Sequence, residues 1–366
     1  MRGVLRWLVV TALAGGVVAC SASAPPAAPA ADQPGREGPA APAAAPASPA
    51  AQTEVVLAAS ENVTSNVFVW LAKDRGLFAQ NAVHIDLQTI NAINAIKALV
   101  AGQLDGVLLG SPEVVAARAS GAPLTIVAVF VSLYNQIMVV PPEISSVEQL
   151  RGRTVGVITK TSVNGVGTVA GLRALGLETP RDYQVFETGV AGVYTGLANQ
   201  LMAGNVDAAA LEAQLARRVL TQGYRELYDQ ATQGTPGAAG ALTFRSEYLQ
   251  ANPQVVQKIV DTLIQAVAYA KSHREETIAA LREHSKLDDP AELDFVYDRV
   301  VLQLLSSTPY PAPEQFPDVI EAMAHEQPAV RDLDVNTLID RRFVDDALKR
   351  GMNAPPAPGA TPPAPQ

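Results

Sequence analysis

The sequence predicts an α/β fold of two lobes. Short apolar strands alternate with amphipathic helices from residue 53 onward, the pattern of sheets with mostly parallel strands and helices on their faces. That alternation breaks near Val139-Val140-Pro141-Pro142 and restarts, then breaks again in the Gly-rich stretch 234–240. The region between the low-complexity ends runs to about 300 residues, more than a single hydrophobic core serves.

In the first unit, Thr53 to Ala58 reads as a buried strand, followed by the polar loop 60–66. Val67 to Phe78 predicts a helix, capped by Ser65 or Asn66 and ending near Gly76. Val83 to Leu87 alternates as a strand. Asn94 to Ala101 is a helix closed by Gly102, and Gly106 to Leu109 a short strand ending at Gly110-Ser111-Pro112. Glu113 to Ser120 is helical, and Leu124 to Val131 a long apolar strand.

The second unit repeats the scheme. Ser146 to Leu150 is a short helix, Thr154 to Ile158 a strand, and the loop 159–162 feeds a helix through Leu175. Tyr183 to Glu187 is a strand, Gly192 to Ala203 a helix, and Ala208 to Leu211 and Arg225 to Tyr228 are strands. Ala241 to Arg245 predicts one more strand, and everything from Pro253 reads as helical. Val256, Ile259, Val260, Leu263 and Val267, then Val296, Val300 and Leu304, recur at helical spacing and are assigned to the core.

The ends carry an address. Arg2 and Arg6 stand at the start of an apolar run that extends from Val4 to Val18, interrupted by Arg6, before the small residue Ala19, the plan of a secretory signal. Val17-Val18-Ala19-Cys20 resembles the bacterial lipobox, which implies cleavage before Cys20 and a lipid on its thiol; the alternative is an ordinary export signal with an incidental cysteine. Residues 1–19 are thus expected to be a leader, 20–52 an Ala/Pro-rich disordered spacer and 353–366 a Pro-rich tail. Cys20 is the single cysteine, so no internal disulfide forms. A net charge of −9 without a basic block argues against nucleic acid.

Several segments resemble one family in order along the chain: Ala72-Lys73-Asp74-Arg75-Gly76-Leu77-Phe78 with Val83-His84-Ile85-Asp86-Leu87, then 98–105 (ALVAGQLD), 146–157 (SVEQLRGRTVGV), 201–208 (LMAGNVDA) and Asn252-Pro253. They are similar to the SsuA/THI5-like solute-binding proteins, the nitrate, sulfonate and taurine group of ABC-importer receptors. The family's glycine before the second strand is Ala82 here, and Asn81 is expected to take up the left-handed turn. The resemblance implies a type II periplasmic-binding-protein-like fold: two α/β lobes, a hinge of two crossover segments and a ligand between the lobes. Lobe one would be 53–140 plus 238–352, and lobe two 141–237.

In such sheets ligands lie off the carboxyl ends of strands. The candidates there are Asn62, Thr64, Ser65 and Asn66 in the first loop, Ser111, Asn135, and Thr161, Ser162 and Asn164 at a helix start. The last three suit an anionic head group, and suit helix capping equally. Tyr134 and Tyr194 offer apolar walls or core. Glu212, after the 208–211 strand, favours a cationic or hydrogen-bond-donating ligand. Lys160 is the one cation among these loops, which weakens the case for bare nitrate or sulfate-like ions.

Catalytic readings are poorer. The four histidines lack metal spacing. Gly165-Val166-Gly167-Thr168-Val169-Ala170 matches a dinucleotide fingerprint formally but falls inside a predicted helix, where small-residue packing explains it better. A THI5-like pyrimidine synthase needs cysteines that are absent. The expectation is a non-enzymatic, cofactor-free, monomeric receptor, exported and lipid-anchored at the cell membrane. Its partners would be a small organic solute, an ABC permease and its ATPase; the other readings are an enzyme on the same fold, of the THI5-like pyrimidine-synthesis type, and a sensory receptor for a membrane kinase.

Overall fold

The computed structural model describes residues 53–60, 64–189, 194–324 and 326–355. The leader, Cys20, the spacer, residues 356–366 and the candidate Asn62 lie outside the described residues.

Ten strands follow one another among the described residues: β1 (Thr53–Ala59), β2 (Val83–Thr89), β3 (Gly106–Leu109), β4 (Leu124–Leu133), β5 (Ile137–Val140), β6 (Thr154–Val157), β7 (Gln184–Glu187), β8 (Ala208–Leu211), β9 (Arg225–Asp229) and β10 (Pro236–Arg245). They form two five-stranded sheets, ordered β2-β1-β3-β10-β4 and β7-β6-β8-β5-β9. One strand in each sheet is reversed. β10 is antiparallel to β3 and β4, and β5 to β8 and β9, while β1–β2, β1–β3, β6–β7 and β6–β8 are parallel. The reversed strands are the two that receive the chain as it arrives from the other sheet. The result is the two-lobed, type II binding-protein architecture.

Each sheet is covered on both faces. Alternation sorts the side chains: Ile137 and Val139 of β5 join one apolar cluster, Met138 and Val140 the opposite one. The helical stripe Val256, Ile259, Val260, Leu263 and Val267 is buried against the first sheet together with Val296, Val300 and Leu304.

Four local expectations change. The chain passes between sheets through Tyr134-Asn135-Gln136, ahead of the Val140 break, because β5 belongs to the second sheet and Pro141 merely ends it. β10 starts at Pro236, inside the stretch read as a Gly-rich loop, with register shifts against β4 that accommodate the glycines. The first helix stops at Asp74 and restarts at Leu77, split by Gly76 at φ 62°. Beyond Leu305 the chain is not continuously helical: Leu305 bridges Val131 and Ile339 bridges Ile126 at the first sheet.

The two crossovers are laced together. The Tyr134 N–H donates to the Thr235 carbonyl at 3.0 Å, and the Gln230 N–H to the Gln136 carbonyl at 3.1 Å. The Gln136 N–H donates to Gln230 Oε1 at 3.1 Å.

Candidate ligand-binding cleft

The loops beyond the carboxyl ends of β1, β4 and β8 meet between the sheets. Thr64, Ser65, Asn135 and Glu212 line one cavity of about 30 Å³, joined by Gln214 and Arg299. Thr64 and Ser65 belong to a single 3₁₀ turn that fills the step between β1 and the helix Val67–Asp74. Asn135 lies in the first crossover. Glu212 precedes the helix Ala213–Leu220 and makes no capping hydrogen bond, so its side chain is released to the cleft.

Gln214 Nε2 donates to Glu212 Oε2 at 3.1 Å. Glu212 keeps some accessible area, but a cavity that size gives its carboxyl little solvent; desolvation pushes its pKa up to about 7, and the Gln214 hydrogen bond only partly offsets this. Tyr194 begins the helix Tyr194–Met202, and its hydroxyl accepts from Gln136 Nε2 at 3.2 Å. Burial, and then the Glu212 charge, raise the phenol pKa.

Arg299 is the residue that sequence reasoning missed. It comes from the helical segment Tyr297–Leu304, far along the chain from every cleft loop. Nη1 and Nη2 donate to the two Asp229 oxygens at 2.5 Å and 2.7 Å, and Nη2 also reaches the Asn135 carbonyl at 3.1 Å. Lys160 remains the one cation of the candidate loops, and Arg299 adds a cation to the cleft from a helix outside them. Lys160 itself pairs with Glu187 at 3.5 Å. The available signal was an arginine on the same helical face as Val296 and Val300, inside a stripe that is otherwise core.

The other candidates do not converge. Asn66 is buried, its amide donating to the Ser60 carbonyl at 3.1 Å. Ser111 is buried at the start of the helix Ser111–Ala119. Ser162 caps the helix Val163–Ala174, accepting from the Gly165 N–H at 3.2 Å. Asn164 is consumed at both ends: Oδ1 accepts from the Ile158 N–H at 2.9 Å and Nδ2 donates to the Ala210 carbonyl at 2.7 Å. Thr161 is half-buried and does not line the cavity. The helix start is thus a tied structural cap. Tyr134 is core, its ring lying where a Cβ on Gly167 (2.6 Å) or Gly237 (2.8 Å) would stand. That contact explains Gly167 of the nominal dinucleotide fingerprint, while a Cβ on its other glycine, Gly165, would lie 2.0 Å from the Thr159 carbonyl oxygen.

The lobes touch around the cleft. A Cβ on Gly110, after β3, would lie 2.3 Å from Val163 Cγ2 of the second lobe. Arg218 grips Glu292 at 2.5 Å and 2.6 Å, Arg217 donates to the Ala291 carbonyl at 2.9 Å, and Arg173 reaches Asp318 at 3.2 Å. An open groove of about 520 Å³, lined by Thr125, Ser246, Gln250 and Arg342, is larger than the cleft. Thr125 opens β4, however, so the groove sits at the amino ends of the parallel strands, opposite the end where α/β sheets bind ligands.

A comparison with curated proteins gives no match. Among solved structures, the chain is similar to the periplasmic aliphatic sulphonate binding protein SsuA from Escherichia coli, with TM-score 0.65, 22% identity, and coverage of 80% of this chain and 99% of that one. It is also similar to the alkanesulfonate-binding protein SsuA from Xanthomonas axonopodis pv. citri bound to MOPS (TM-score 0.61, 22% identity, 80% and 100% covered). The nitrate-binding protein NrtA from Synechocystis aligns with TM-score 0.64 and 13% identity over 82% and 89%. These likenesses establish the fold. A family profile described as NMT1/THI5 like matches residues 64–277, spanning β2 through β10 and every cleft residue named above except Arg299. By that match the chain belongs to the NMT1/THI5-like family.

Proposed function

We propose that the chain is an extracytoplasmic solute-binding receptor of an ABC importer. It is held to the membrane through Cys20 and passes a small organic solute to a permease and its ATPase. The observation that carries this is the convergence of Thr64, Ser65 and Asn135 with Glu212 in one cleft between the two sheets. Solute-binding names among the structural neighbours support it. The cargo class runs over sulfonates, taurine-like compounds, pyrimidines and other nitrogen-containing solutes.

The mechanism is hinge closure rather than chemistry. A cavity of about 30 Å³ holds little more than a water molecule, so a solute enters a parted form, and the lobes re-form around it through the two crossovers. The test is a thermal-shift screen of the full chain against that solute panel. A cargo at about 100 times its Kd adds about 2.7 kcal/mol and raises the melting temperature by a few degrees. Silence from a folded sample across the panel would count against the receptor reading, and turnover of a panel member would favour the same-fold enzyme.

A further inference from the structure

The charge balance of the cleft is uneven. Its cation, Arg299, is committed: the side chain is nearly buried, both Asp229 oxygens hold it, and the Asn135 carbonyl takes a third bond. Its anion, Glu212, is not committed. Gln214 supplies one neutral hydrogen bond at 3.1 Å, and no lysine, arginine or histidine among the described residues pairs with it. Residues 61–63 and 190–193, adjacent in sequence to Thr64 and Tyr194, contain no basic residue.

A carboxylate enclosed without a counter-charge is costly, and it recovers that cost by taking a proton or by meeting a cation. Around Glu212 the groups able to accept further donors are the hydroxyls of Thr64 and Ser65 and the amide of Asn135, while Val300 and Leu304 offer apolar contact. That set suits a compact solute with several N–H donors on a short hydrocarbon body. It suits an anion poorly, because the guanidinium that would receive one is neutralised by Asp229.

We propose that Glu212 makes this cleft selective for an organic cation, a solute with a protonated nitrogen such as an alkylammonium or amidinium, which Glu212 pairs as the lobes close. This rests on the receptor reading and departs from the anions named for the neighbours. Closure itself is then charge-driven: the solute supplies the positive charge that the enclosed carboxylate lacks.

The binding is pH-dependent. The groups facing Glu212 are Tyr194 with its Gln136 partner, Gln214, and the Arg299–Asp229 pair. Between pH 5 and 8 the tyrosine stays neutral and the amides do not titrate, whereas Glu212, raised to about 7, changes charge. Protonation of Glu212 removes the counter-charge, so cation affinity falls as pH drops from 8 to 5.

The test uses calorimetry and thermal shift on the full chain with two matched series. Ethylammonium, propylammonium and acetamidinium form one; ethanesulfonate, propanesulfonate and nitrate form the other. The expected result is binding of at least one cation at pH 8, weaker binding at pH 5, and a loss of about 30-fold or more in Glu212→Gln. Glu212→Gln must first keep the circular-dichroism spectrum of the parent; if it does not, Glu212→Asp, which keeps the charge, serves as the comparison and should retain cation binding. Anions binding in place of cations overturns the assignment but leaves the receptor standing. Cations binding equally to the parent and Glu212→Gln overturns the role of Glu212. No response to either series overturns the assignment and counts against the receptor as well.

Discussion

The Arg299 guanidinium holds both oxygens of Asp229, at 2.5 Å and 2.7 Å, and thereby ties the helical segment Tyr297–Leu304 to the last residue of β9. Asp229 in turn caps the turn of helix Gln230–Gln233 through the Ala231 N–H at 2.9 Å, and that turn lies in the returning crossover. One ion pair therefore fixes where the C-terminal helices meet the returning crossover.

Removing one partner leaves the other enclosed and unpaired. Arg299→Met should cost about 3–5 kcal/mol, measured by urea unfolding. Arg299→Met with Asp229→Leu should recover most of that loss, since two apolar groups replace two charges. A double variant no more stable than the single one would show that the loss comes from packing rather than from a stranded charge.

The contacts between lobes predict a bias toward the closed form. The Arg218–Glu292 pair is partly exposed and contributes at most about 1 kcal/mol. Gly110 matters differently, because any side chain there meets Val163. Glu292→Ala should enlarge the radius of gyration of the unliganded protein slightly, and Gly110→Val more, in small-angle scattering. Equal radii for all three proteins would remove these contacts from the closing equilibrium.

At Ala82 the backbone takes φ 53°, the left-handed region that costs an L-residue about 1–2 kcal/mol. Asn81 does not take the turn as expected from sequence. Its amide is occupied by the Leu77 carbonyl at 3.1 Å and Thr262 Oγ1 at 2.8 Å, anchoring the turn to the helix Pro253–Ser272. Ala82→Gly should stabilise the protein by about 0.5–1 kcal/mol, after allowing for the freer unfolded chain. A lower melting temperature for the variant would contradict this.

The case of Asn81 shows what the sequence carries. Strand positions were legible because β1, β3 and β8 are short apolar runs bounded by glycines or polar loops, and burial enforces that pattern. The loops that form the cleft were legible for the same reason: Thr64, Asn135 and Glu212 each follow the carboxyl end of a strand. What each polar side chain does there was not legible. Asn164 and Ser162 look like ligand groups in sequence, yet backbone groups nearby claim them. Arg299 reaches the cleft only because the helical segment Tyr297–Leu304 packs against the crossover at Asn135, a relation that no local pattern records.

Glu113 supplies the last prediction. It lies in the first turn of the helix Ser111–Ala119 with one carboxyl oxygen buried and unpartnered. Burial pushes its pKa up to about 7, against a smaller opposing pull from its own backbone N–H. The folded state then holds this proton more tightly than the unfolded chain, so its stabilising contribution is complete below the ordinary carboxylate pKa of about 4.5 and is lost as pH rises through about 7. At pH 8 the cost reaches up to about 3 kcal/mol. Glu113→Gln, which cannot ionise, should raise the melting temperature at pH 8 by a few degrees and leave it nearly unchanged at pH 4. Glu212 titrates in the same window, so the single variant should flatten the stability–pH curve only in part, and Glu113→Gln with Glu212→Gln should flatten it further. A single variant whose curve runs parallel to that of the parent would mean that the Glu113 carboxyl is solvated in solution.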